Sequence, residues 1–119
     1  MVGGYGTGPT YHSSTWALDL ATLCWTKLSS MQQRRCYVAT CRYGTGILAI
    51  GGHDGRQRHR SVEFYDPVTN IWTQMASLTI ERSDAGLVNY RGRVFAIGGF
   101  TGSVSILNWL VDILFRHNI

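Results

Sequence analysis

Between residues 51 and 60 the chain reads GGHDGRQRHR, and this stretch concentrates the residue types able to do chemistry. Two glycines lead into His53 and Asp54, and Arg56, Arg58, His59 and Arg60 follow closely. A glycine-rich loop cradles phosphates when a Lys-Ser or Lys-Thr pair and a helix come after it. Neither follows here, so a nucleotide-binding loop is not expected. Guanidinium groups hold carboxylates and phosphates through paired hydrogen bonds. Arg56, Arg58 and Arg60 therefore form a candidate loop for an acidic or phosphorylated partner. His12, His53, His59 and His117 lack metal-ligand spacing to one another. Cys36 and Cys41 are five positions apart on an expected strand, which sends them to opposite sheet faces. No metal site, no cofactor and no catalytic signature is expected, and the chain does not read as an enzyme.

The elements that carry this loop repeat. Shifted by 47 residues, the sequence falls on itself. Asp19 meets Asp66, Trp25 meets Trp72, Arg35 meets Arg82, and Gly51-Gly52 meets Gly98-Gly99. Each repeat resolves into four short strands. Residues 36–43 and 46–50 flank a Gly44-Thr45-Gly46 turn, and 85–90 and 93–97 flank Arg91-Gly92, a hairpin signal. Residues 61–66 alternate, with Val62 and Phe64 against Glu63 and Tyr65, and a turn at 67–70 leads into 71–75. Four strands in so few residues leave no room for helices, so the fold class is all-β, built of repeated four-stranded sheets.

Composition agrees. Of 119 residues, 45% are hydrophobic and 15% charged, which marks a folded globular chain. A net charge of +4 favours acidic partners without implying nucleic acid. Three cysteines, no N-x-Ser/Thr sequon and no basic-then-apolar leader after Met1 read as a cytoplasmic protein with reduced thiols. The apolar stretch 104–115 is too short for a membrane span and is broken by Asn108 and Asp112, so no membrane partner is expected.

The glycine doublets, Tyr65-Asp66-Pro67 and the spaced Trp72 resemble the kelch repeat, whose period is about 50 residues. The resemblance covers residues 1–102 and implies blades of a β-propeller. On that pattern the chain is a partial kelch propeller of about two and a half blades. Residues 1–31 end one blade, 36–76 form a complete blade, and 82–102 start the next. Residues 103–119 are a divergent apolar tail. They read either as a degenerate strand or as a helix presenting Ile106, Trp109, Leu110 and Ile113. So few wedges leave two apolar faces bare, which points to a piece of a longer protein or to assembly of several copies.

RRCYV (34–38) and ERSDAG (81–86) look closest to the kelch-like (BTB-kelch) substrate adaptors of cullin-3 ubiquitin ligases. In such adaptors, residues after the glycine doublet and residues opening the next blade commonly touch the target. The resemblance therefore implies target contact for Tyr5, His53 and Phe100, and for Arg35, Arg82 and Ser83. The function it implies is protein–protein recognition, with cullin-3 as a partner where a BTB domain lies upstream. A cytoskeletal, actin-binding kelch scaffold is the alternative. A nucleic-acid binder using the arginine loop is a third class, marked by steep salt dependence. The glycines, Trp25, Trp72 and Asp66 have a structural reading instead. They serve as a positive-φ exit from a strand, as flat area between sheets, and as a turn carboxylate accepting backbone N–H bonds.

Overall fold

The structure, a computed structural model, describes residues 1–102 and the backbone of residues 111–116. Nine strands follow in order: β1 (Thr15–Leu18), β2 (Trp25–Leu28), β3 (Ala39–Tyr43), β4 (Gly46–Ile50), β5 (Val62–Asp66), β6 (Ile71–Met75), β7 (Gly86–Tyr90), β8 (Arg93–Ile97) and β9 (Val111–Arg116). They form three antiparallel sheets, β1-β2, β3-β4-β5-β6 and β7-β8-β9, and no helix occurs among the described residues. The expected all-β class is what the chain adopts, with one complete four-stranded sheet between a two-stranded and a three-stranded one.

The middle sheet is complete and buried on both faces, because its alternating residues serve two neighbours. Leu48, Ile50 and Val62 point towards the third sheet and pack with Leu78, Val94 and Ala96. Ala49, Tyr65 and Trp72 point the other way and meet Met31, Val2 and Leu28 of the first unit. Trp72 combines flat area with a satisfied pole: its Nε1 donates to the Ser29 carbonyl at 2.9 Å. Trp25, its repeat partner, is 54% exposed, since no described sheet covers the outer face of β1-β2. Val88 and Ile97 are likewise exposed on the outer face of the third sheet.

The turn chemistry follows expectation. Asp66 accepts the Val68 N–H at 2.9 Å, and Asp19 accepts the Ala21 and Thr22 N–H groups. At the glycine doublet, Gly51 and Gly52 have φ of 64° and 93°. A Cβ on Gly51 would run into the Arg82 carbonyl, so the backbone of one sheet touches the next where only glycine fits.

Two strands differ from the sequence reading. The strand expected over 36–43 begins only at Ala39, because Tyr37 has φ +51° and breaks the extended run. Within the tail, residues 111–116 take the strand alternative and pair with β8. Asp112 faces Ala96 there, the register position that Glu63 holds opposite Ala49. Ile106, Trp109 and Leu110 lie outside the described residues.

Candidate functional site

The two ends of the sheets differ in kind. One carries tight turns at 44–45, 67–70 and 91–92. The other carries the long connections 29–38, 51–61 and 76–85, with residues 3–14 before β1. The residues expected to touch a target and those of the arginine loop lie at this long-loop end, Phe100 in the segment after β8, and the structure divides them into buried and exposed sets.

Arg35 is fully buried. Its Nε and Nη2 donate to Glu63 Oε2 at 3.1 and 2.8 Å. Its Nη1 donates to the Gly51 and Ser61 carbonyls at 2.6 and 3.0 Å, and Nη2 also donates to Ser61 Oγ at 2.8 Å. A guanidinium has five N–H donors, and all five are used. Burial pulls the Arg35 pKa down while the Glu63 carboxylate pushes it back up. Arg82 repeats the arrangement one unit on: it is fully buried and its Nη1 donates to the Gly98 carbonyl at 3.0 Å. Both guanidinium groups are turned into the interior rather than towards the surface that the expected target contact would use. They fasten each sheet to its own glycine doublet.

Ser83 is also held in the interior. It is 1% exposed, and its Oγ accepts from Arg58 Nε at 3.0 Å and donates to Asp84 Oδ2 at 2.7 Å. Arg58 is consequently no free loop cation. Its guanidinium also lies 4.5 Å from the Phe100 ring centroid, a cation–π contact that ties the β4–β5 loop to the third unit. Phe100 is half-buried beneath it.

His53 and Tyr5 keep accessible surface. Tyr5 is 57% exposed and meets Tyr11 edge-on at 5.1 Å, and Tyr11 meets His53 edge-on at 5.8 Å. The result is an aromatic row running from the first unit to the second. His53 Nδ1 accepts the Gly55 N–H at 3.2 Å, so the ring also anchors its own loop. Burial raises the pKa of the Cys36 and Cys41 thiols, which keeps them protonated and poorly nucleophilic at neutral pH.

Sequence reasoning missed Tyr37, Tyr11 and Asp84. Tyr37 is 61% exposed with φ +51°, and Asp84, its partner under the 47-residue shift, is exposed with φ +59°. The Asp84 N–H donates to the Tyr37 carbonyl at 3.0 Å, linking adjacent units. The repeat alignment was the available signal, since both stand two positions after the buried arginine. An aromatic residue held at positive φ carries a strain of about 1 kcal/mol or more, a cost that clusters at functional sites.

Beside this row lies a polar groove of about 550 Å³ between the 51–61 and 76–85 loops, with Arg56, His59, Arg60, Ser61, Ser77 and Glu81 on its walls. Arg56 and Arg60 are exposed and their side chains have no partner among the described residues.

Residues 34–79 match the family model of the Kelch motif. The match spans the complete middle sheet with the adjoining part of each flanking loop, and it supports a kelch-repeat protein. With three successive antiparallel sheets and glycine-mediated contacts between them, the all-β architecture is consistent with a partial kelch propeller. Kelch repeats are in general non-enzymatic modules that bind other proteins, and the match supports that class of function here.

Proposed function

We propose that the long-loop end captures a target protein in the cytoplasm, and that the capture serves a cullin-3 ubiquitin ligase, with this chain as part of the adaptor's target-binding propeller. One observation carries the first half. Two equivalent positions, Tyr37 and Asp84, are held exposed at positive φ at the same end as the Tyr5–Tyr11–His53 row. Exposed tyrosines give a large contact area at little entropic cost, which suits an interface anchor. The ligase half rests on RRCYV and ERSDAG, the segments that resemble BTB-kelch adaptors.

The test is proximity labelling in cells, followed by pull-down with the purified chain. Tyr5→Ser with Tyr37→Ser is compared with Val68→Ser at the opposite end. Targets lost in the long-loop variant and kept in the other support recognition through this end. Equal capture by both variants overturns it. Labelling of cullin-3, with target ubiquitylation that falls when the chain is depleted, supports the adaptor. Co-sedimentation with F-actin and no cullin-3 labelling assigns the scaffold alternative instead.

A further inference from the structure

The groove beside the aromatic row carries positive charge that the fold does not consume. Of its cations, Arg58 is spent on Ser83 and Phe100. Asp54 is spent as well: its Oδ1 accepts the Arg56 and Gln57 N–H groups at 2.8 and 2.9 Å, and its Oδ2 lies 3.3 Å from His59 Nε2. Arg56 and Arg60 remain open to the groove, and Arg34 stands at an adjoining recess of about 410 Å³ that shares Arg56. Glu81 is the acid on the main groove's wall.

Both free arginines rise from a fixed backbone. Arg56 sits in the turn closed by Asp54, next to Gly55, whose φ of 96° lets the loop lie against the Tyr11 ring. Arg60 is clamped from two sides. Its carbonyl accepts the Leu78 N–H at 2.8 Å, and the preceding His59 carbonyl accepts the Arg82 N–H at 3.1 Å. His59 itself is 7% exposed, and Asp54 Oδ2 lies near its Nε2 without hydrogen-bond geometry. A backbone ordered in advance loses little entropy on binding, so only the two exposed side chains are left for a ligand to fix.

We propose that this groove takes an oxyanion side chain of the partner segment, a phosphomonoester or a carboxylate, gripped by Arg56 and Arg60 with the Ser61 and Ser77 hydroxyls as further donors. The assignment rests on the reading of this end as the protein-binding one and names the chemistry it selects. Guanidinium forks match the oxygens of either group, and the wall hydroxyls add hydrogen bonds that a tetrahedral phosphate uses more fully. Glu81 opposes any anion, so it sets a threshold that a dianion crosses more easily than a monoanion.

Amide NMR titration of the full chain with phenyl phosphate and with benzoate tests the site. The expected result is saturable shifts at Arg56, Gln57, Arg60, Ser61 and Ser77, weakened about tenfold in Arg56→Gln/Arg60→Gln and tightened in Glu81→Gln. Stronger binding of phenyl phosphate assigns a phosphorylated segment, and the reverse order assigns a carboxylate. Absence of saturable shifts below about 50 mM, or equal shifts in the double variant, overturns the proposal. So does a single-stranded oligonucleotide that binds at the groove and is not displaced by phenyl phosphate. The double variant leaves Tyr5 and Tyr37 intact. Undiminished target capture by it would therefore sink the anion site while the recognition reading stands.

Discussion

Arg35 and Glu63 face each other at 2.8 Å with neither side chain exposed. The carboxylate is also shared with the loop that delivers the arginine, since the Gln32 N–H donates to its Oε1 at 2.6 Å and the Gln33 N–H to its Oε2 at 3.3 Å. A buried ion pair stabilises only when every remaining donor and acceptor is met, and here the five guanidinium donors are.

Removing one member therefore leaves an uncompensated charge in the interior. Arg35→Ala or Glu63→Ala is expected to lower unfolding stability by about 3–5 kcal/mol in urea titrations. A loss below about 1 kcal/mol would show that water reaches the site and that the fastening is not structural.

The glycine doublet makes a second, sharper comparison. Gly44→Ala places a Cβ in open space at φ +56°, and its expected cost is about 1 kcal/mol of backbone strain. Gly51→Ala has a similar φ, +64°, but drives a Cβ against the Arg82 carbonyl, and it should cost clearly more. Equal midpoints in guanidinium would remove the argument that sheet-to-sheet contact demands glycine there.

Two tryptophans in equivalent repeat positions should behave oppositely towards a soluble quencher. Trp25 is 54% exposed and Trp72 5%. In a background with Trp16 and Trp109 replaced by Phe, acrylamide should quench the Trp25 emission while sparing that of Trp72, and Trp25→Phe should then remove the quenchable component with little change in stability. Trp72→Phe forfeits the bond to the Ser29 carbonyl and should cost about 1–3 kcal/mol. Comparable quenching of both indoles would contradict the packing described.

Burial holds His59 below the 6.5 of a free imidazole, with the Arg35 charge adding to the effect. The unfolded chain then takes up this proton at a higher pH than the folded one. The stability contributed is present above about pH 6.5 and is lost as pH falls towards the folded value. Asp54, also lowered, acts only below its ordinary 3.8. The expected result is a decline in melting temperature between about pH 6.5 and 5 that His59→Gln flattens. An unchanged slope in that variant would assign the decline elsewhere.

Tyr37 offers a test of strain. Tyr37→Gly should leave stability unchanged or raise it by up to about 1 kcal/mol, whereas Tyr37→Val, β-branched at φ +51°, should lower it. Destabilisation by glycine would mean that the exposed ring supports the fold.

The fold was largely legible because its signals are local and repeated. The paired glycines, Asp66 before Pro67 and the Val62/Phe64 alternation each select one backbone state, and the 47-residue shift multiplies them. The site was less so. Arg35 and Glu63 are 28 positions apart, and nothing in either residue's surroundings in the chain announces that they meet in the interior. An arginine opening a strand reads equally as a probe for a partner or as an internal fastener, and only the three-dimensional count of its donors separates the two. Tyr37 escaped because positive φ in a tyrosine has no compositional signature, unlike glycine.

One repeated bond has a wider bearing. The Gly4 N–H donates to the Arg35 carbonyl at 2.8 Å, and 48 residues later the Gly52 N–H donates to the Arg82 carbonyl at 2.9 Å. The same main-chain bond thus recurs at each junction between sheets, whatever side chains the neighbouring loops carry. Within residues 53–60 the inter-sheet ties divide in the same way: the His59 carbonyl accepts the Arg82 N–H through the backbone, whereas Arg58 reaches Ser83 and Phe100 through its side chain. The spacing of the sheets therefore rests largely on main-chain groups, and exposed side chains such as Arg56 and Arg60 can be exchanged for a new ligand while those bonds stay in place.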